Sequence, residues 1–292
     1  MRVAVIATLP PHVDHRRAII EHPRVDALRF NTISPLAVSR AETLQRLQRE
    51  CAGKKLWIDL KGRQLRITKF AYLPHAYVSL SHRIAVDLPC DIHFRDGVSR
   101  VVEIVGGDKL ILNRRPLRVV GEGEPVNIVH PSLRIEGVLT DGDREYIEAA
   151  VALGLHDYML SFAEDAGDLA AVRAGDPAAV IVAKIESRRG LAFCSRAGVR
   201  LMAARDDLYV HLAETPKEYV PALAEIARID PSAIVASRIL ESLEHASVPS
   251  AQDIADVELM LRLGYRTFML SDTLCFHEES FRAAMAVLEA LA

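Results

Sequence analysis

Cysteine is scarce in this chain: Cys51, Cys90, Cys194 and Cys275 are the only four in 292 residues, and no two form a CxxC pair. That scatter excludes a disulfide framework of the small secreted kind and a cysteine-rich zinc site. Neither sign of charge dominates, because 36 Lys and Arg face 39 Asp and Glu for a formal net charge of -3. Without a basic field nothing draws the chain to nucleic acid or to an anionic membrane surface, and neither is expected as a partner. Long apolar runs are missing too. The opening MRVAVIATLPPH passes from a short apolar run straight into polar residues. It is too short to span a bilayer and lacks a small-residue cleavage pattern. The expected location is the cytoplasm.

What the chain does have is apolar material, 50% of its residues, enough for the core of one large barrel or two ordinary domains. The apolar residues gather in eight short runs, at 3–7, 27–30, 55–60, 158–162, 179–185, 199–204, 233–236 and 267–270, each suited to a buried parallel strand. Helical patterns follow most of them, among them 40–51, 142–153, 164–173, 220–228, 251–263 and 279–291. Strand then helix, eight times, predicts an α/β fold of the (β/α)8 TIM barrel type. The rhythm breaks once. Between 61 and 139 the chain shows β-rich runs such as AYVSL, HRIAV and DKLILN, with turn dipeptides at Asp96-Gly97 and Gly106-Gly107. We expect a small all-β domain at 64–135, inserted after strand 3 of a barrel formed by 1–63 and 136–292.

A barrel of this kind works at the C-terminal ends of its strands. The runs end in Thr8, Arg29 and Asn31, Asp59 and Lys61, Ser161, Lys184 and Glu186, Arg205 and Asp207, Ser237, and Ser271 with Asp272. Lys184 and Glu186 lie two apart on a strand, so they project to one side and can serve one ligand with a cation and a carboxylate. Glu186 and Asp207 offer oxygens to Mg2+ or Mn2+, and two carboxylates need a bound acid and water to complete the shell. Lys184 and Arg29 would hold negative charge, and a metal plus an ammonium on one oxygen stabilises an enolate. Taken singly, a rim salt bridge explains Lys184 and Glu186, and a helix cap explains Asp207. Taken together the positions describe a site. Trp57, inside a strand, reads as core, and His75, His82, His93 and His211 read as surface or rim residues because no metal-ligand spacing links them.

At these residues the chain resembles pyruvate kinase. AKIESRRG (183–190) is similar to the KIEN-x-x-G segment of that family and LMAARDDLYV (201–210) to its IMVARGDLGV segment. In collinear order, LRFNT (28–32) matches R-x-N, LWIDLKGRQLR (56–66) matches LDTKGPEIR, VASRILESL (235–243) matches CATQMLESM, VPSAQDIADV (248–257) matches PTRAEVSDV and FMLSDT (268–273) matches MLSGET. In the insert, HFRDG (93–97) and VNI (126–128) resemble segments of the family's B domain. The resemblance implies that Glu186 and Asp207 bind the divalent metal and that Lys184 stabilises the enolate. It places Arg29 and Arg66 beside the phosphates, and Ser237 on a threonine near the substrate carboxylate and the carbon that is protonated. The substrate-binding set is then Arg29, Lys184, Asp206, Asp207 and Ser237, with phosphoenolpyruvate or pyruvate and a nucleotide as ligands.

Several positions depart from the family pattern. Asn31 and Asp59 fall on two ligands of its monovalent-cation site, but Ile33 replaces a serine and Leu60 a threonine, which leaves the K+ pattern incomplete. Asp206 replaces a glycine and adds negative charge at the substrate carboxylate. Ser34, Glu124 and the TLCFHE segment lack the histidine and lysines that would meet a nucleotide. No counterpart of the C-terminal effector domain follows, so regulation of that kind is not expected, and a barrel-to-barrel homo-oligomer fits the chain. Two other readings stay open: the same metal–enolate core serving a different reaction, such as aldol chemistry or transfer to an acceptor other than ADP, and a non-catalytic ligand-binding homologue.

Overall fold

The computed structural model describes residues 2–10, 12–51, 53–71, 76–95, 97–117 and 120–291. His75 and Asp96 therefore lie outside the described residues. The chain divides into two units, 1–60 with 143–292, and 61–142.

In the first unit each of the eight apolar runs forms a strand: β1 (Ala4–Thr8), β2 (Val25–Asn31), β3 (Lys55–Leu60), β4 (Asp157–Leu160), β5 (Val180–Ile185), β6 (Arg200–Ala204), β7 (Ile234–Ala236) and β8 (Thr267–Met269). They pair in parallel in sequence order, and β1 closes on β8, which makes a (β/α)8 barrel. Closure leaves no sheet edge, and burial on both faces is why the runs are nearly continuous in apolar residues. Along β2, Leu28 and Phe30 are fully buried while Ala27 joins an interior layer with Ile6, Trp57, Met159, Val182, Met202, Ile234, Ala236 and Met269. That layer draws on all eight strands and fills the barrel as a packed core rather than a pore. Trp57 is core, as its place in a strand predicts.

Local sequence sets where the helices start. Ser39 caps Arg40–Glu50, Asp165 caps Ala166–Gly175 and Ser250 caps Ala251–Leu263, each in a reciprocal capping box with the acidic residue three positions on. Gly264 ends the last of these at φ 109°, with its N–H on the carbonyls of Leu261 and Met260. No helix among the described residues is long and apolar enough to cross a membrane.

The second unit is antiparallel β. Its main sheet runs Ile67–Ala71, Tyr77–Leu80, Lys109–Leu112, Gly97–Val105 and Cys90–Phe94 in spatial order, and Ile84–Ala85 pairs separately with Arg134–Ile135. Gly106 and Gly107 turn the chain at φ 65° and 87°, values an L side chain resists. Buried Leu65, Ile67, Val78, Ile92, Val101 and Leu110 form its own core. His82 is buried in this unit at 6% exposure, which corrects its reading as a surface or rim residue. Its Nδ1 meets the hydroxyl of Ser81 at 3.0 Å, a polar partner that makes the burial affordable.

Candidate active site

A buried polar layer sits one pleat above the interior layer. Counting two residues on from Ile6, Ala27, Trp57, Met159 and Val182 gives Thr8, Arg29, Asp59, Ser161 and Lys184, which the period of a strand turns to the same side. All five are buried. Their side chains bond one another, so a polar layer lies directly on the apolar one.

Arg29 donates from Nε to Asp59 Oδ2 at 2.9 Å, from Nη2 to the same oxygen, and from Nη1 to Thr8 Oγ1 at 3.1 Å and Asp272 Oδ2 at 2.6 Å. Asn31 Nδ2 donates to that Asp272 oxygen at 2.9 Å. Lys184 Nζ donates to Ser161 Oγ at 2.7 Å and lies 3.2 Å from Glu186 Oε1 and 3.4 Å from Asp59 Oδ1. Ser161 passes its own hydrogen to the carbonyl of Leu60 at 2.9 Å. Glu186 is held from the other side, where the N–H of Phe162, turned by a left-handed φ of 50°, donates to Oε2 at 2.6 Å. These fixed partners leave the ammonium and the carboxylate in single orientations.

Asp207, in the first turn of the helix Arg205–Leu212, adds negative charge that both Lys184 and Glu186 feel. Two cations thus share the site with the four carboxylates of Asp59, Asp272, Glu186 and Asp207. Burial works against the charged form of each cation, but the surrounding carboxylates outweigh it and raise the pKa of both Arg29 and Lys184. For Glu186 burial acts first and the charge of Asp207 adds to it. Together they push its carboxyl up to about 7 despite Lys184. The surplus of negative charge and the hard oxygen donors of Glu186 and Asp207 suit a divalent cation such as Mg2+ or Mn2+. Among the described residues no three His, Cys, Asp or Glu side chains form a metal cage.

Beyond β7 the chain turns sharply. Ser237, Arg238 and Leu240 adopt φ of 66°, 55° and 55°, each a strain on the order of 1 kcal/mol for a residue with a side chain. Buried Arg205 holds the turn by donating to the carbonyl of Ser237 at 2.7 and 3.0 Å, and it is itself fixed by a bidentate pair with Asp256 at 2.7 and 2.8 Å. Arg205→Ala should lower stability by about 3 kcal/mol, since it strands Asp256 and frees the strained turn. Arg205→Lys should recover little of it, because an ammonium cannot reproduce the fork. An unfolding midpoint unchanged by Arg205→Ala in urea would sink this account. Asp206 is not drawn into the Lys184 cluster. It ion-pairs with Arg238, and both side chains are about half exposed, so the extra charge read from the sequence is answered locally.

Arg66 belongs to the second unit, where it donates to the carbonyl of Gly123 and to Gln64 Oε1. Two contributions were not assigned from sequence: Asp272 as partner of Arg29 and Asn31, and the Phe162 N–H as partner of Glu186. The first carried a faint signal, a carboxylate directly after the Ser271 cap. The second is a backbone group and carries none.

No protein-family model matches the chain. It is 26% identical to a pyruvate kinase from Methylorubrum extorquens over 319 aligned positions, covering 92% of this chain and 64% of that protein. It is 29% identical to a pyruvate kinase from Thermoplasma acidophilum over 245 positions, covering 74% and 44%. The chain thus spans under two thirds of the length of these curated relatives. The crystal structure of Cryptosporidium parvum pyruvate kinase superposes with a TM-score of 0.77 at 19% identity, over all of this chain and 71% of that one, and so shares its fold. The two curated relatives, together with that fold, support membership of the pyruvate kinase family.

Proposed function

We propose that this protein is a divalent-metal-dependent phosphotransferase that moves a phosphoryl group between phosphoenolpyruvate or pyruvate and a nucleotide through an enolate. The observation that carries the reading is one ammonium and two carboxylates converging at the barrel mouth: Lys184 beside Glu186, with Asp207 in their field. In this reading Glu186 and Asp207 hold Mg2+ or Mn2+, which supplies Lewis-acid stabilisation of the enolate oxygen. Lys184 supplies the positive charge on the protein's side, oriented by Ser161 and Asp59. Ser237 offers a hydroxyl to the carbon that gains a proton, and Arg29 faces the phosphoryl group. Arg66 is assigned to the phosphates by resemblance alone. Four free, buried cysteines accord with a reducing compartment, and we assign the protein to the cytoplasm on that ground.

The test is a coupled assay for pyruvate formed from phosphoenolpyruvate and ADP with Mg2+ or Mn2+. Metal-dependent turnover supports the reading. No turnover with any nucleoside diphosphate, beside metal-dependent binding of oxalate, would replace it with enolate chemistry on a non-phosphorylated 2-oxo acid. One observation favours that second reading, the carboxylate of Asp272 on the phosphoryl-facing Arg29.

We expect K+ to be dispensable. Asp59 already receives Arg29 on one oxygen and Lys184 on the other, the carbonyl of Leu60 accepts from Ser161, and Ile33 brings no donor oxygen in its side chain. We expect the rate to be unchanged when K+ is exchanged for a bulky organic cation at equal ionic strength. A rate that collapses without K+ would show that Asn31 and Asp59 hold a monovalent ion after all.

A further inference from the structure

Arg29 is an unusual anion receptor because its site already contains an anion. Each of its three nitrogens donates inside the barrel: Nε and Nη2 to Asp59, and Nη1 to Thr8 and Asp272. The two carboxylates differ in kind. Asp59 is fully buried on β3 and paired to Lys184 as well, so it is a fixed part of the polar layer. Asp272 arrives from the opposite side of the sequence, 243 residues on, at the first position of the short helix Asp272–Phe276, and its side chain keeps 29% of its exposure. Its Oδ2 accepts from both the guanidinium of Arg29 and the amide of Asn31. A carboxylate oxygen at 2.6 Å from Nη1 and 2.9 Å from Nδ2 occupies the position where a phosphoryl oxygen would accept from the same two donors.

From this we infer that Asp272 is a specificity-determining residue: an internal anion on Arg29 and Asn31 that a phosphoryl-bearing substrate must displace, and that a substrate without a phosphoryl group leaves in place. The inference rests on the proposed phosphoryl-transfer reading for its choice of substrate, but not for its physical content, which is competition of two anions for one guanidinium. Asp272 raises the threshold for phosphate at Arg29. Inorganic phosphate and other small dianions, which bring no second point of attachment, are kept out. Phosphoenolpyruvate gains enough from Lys184 and the metal at its carboxylate end to enter. The plain alternative is that Asp272 is a helix-start carboxylate which neutralises Arg29 for stability alone.

The two roles separate by experiment. In the full chain with Mn2+, calorimetry should show that Asp272→Asn binds inorganic phosphate and phosphoenolpyruvate about tenfold more tightly, the worth of one charge-assisted bond no longer contested. Pyruvate, which has no phosphoryl group to compete for Arg29, should bind with nearly unchanged affinity. Asp272→Gly, which removes the side chain entirely, should show the same selectivity. Phosphate affinity unchanged in both folded variants would overturn the inference. So would equal tightening of pyruvate and phosphate, which would mark a general change of field rather than competition at one arginine. Because binding is read without turnover, a wild-type protein inactive on phosphoenolpyruvate would count against the proposed reaction and leave the Asp272 result interpretable.

Discussion

Lys184→Met is expected to lower kcat on the order of 10³-fold while the barrel stays folded. The ammonium lies next to Glu186, 3.2 Å from Oε1, and is fixed by Ser161 at 2.7 Å. An enolate that develops beside it loses a preorganised charge that water cannot replace in a buried site. Methionine keeps the length of the side chain and fits the apolar layer below. The carboxylates left behind are not stranded: Asp59 retains Arg29, and Glu186, already pushed up to about 7 by burial and Asp207, takes up a proton instead of standing as a bare buried charge. Steady-state kinetics in the coupled assay, beside a thermal melt, check this. Near-normal kcat in the folded variant would remove Lys184 from the chemistry.

How far such a site can be read in advance follows from its periodicities. The strands were legible because buried parallel strands are apolar runs stopped by polar residues, and the first polar residues on the inward pleat of β1 to β5 form the polar layer of the candidate site. Long helices announced themselves by caps such as Ser250 with Asp253. The short helices Arg16–Glu21, Arg188–Phe193 and Asp272–Phe276 have too few turns to set up a period. In the second unit the strand Ile67–Ala71 was not marked, because ITKFA mixes polar and apolar residues and gains its place from pairing with Tyr77–Leu80.

Partnership is what local pattern cannot supply. Arg29 and Asp272 meet only because β8 closes on β1, so which carboxylate reaches which cation is a property of the closed barrel. The same holds for Asp206. Its charge is visible in the sequence, but Arg238 meets it from a left-handed turn pinned by Arg205 and Asp256, two strand ends and a helix whose proximity no spacing reveals. Residue types at strand ends were readable, and their wiring was not.

The wiring of Glu186 yields the second large effect, a reversal of stability with pH. Its carboxyl is raised from 4.5 to about 7 in the folded chain, chiefly by burial, with Lys184 opposing the rise and Asp207 adding to it. A raised value means that the folded state holds the proton more tightly than the unfolded one. That contribution to stability is complete below about pH 4.5 and is lost as pH rises through about 7. In chelator, the wild type should therefore lose melting temperature from pH 5 to pH 8 relative to Glu186→Gln, which has no proton to lose. A divalent metal competes with that proton, so the apparent affinity for Mn2+ should rise about tenfold per pH unit below about 7 and level off above it. At pH 8, Mn2+ at 100 times its Kd should stabilise the wild type by about 2.7 kcal/mol. In Glu186→Gln most of that gain should vanish, because Asp207 alone is a poor site. Parallel melting curves for the two proteins in chelator would show that Glu186 is charged and content in its niche. An undiminished Mn2+ shift in the variant would move the metal to other ligands.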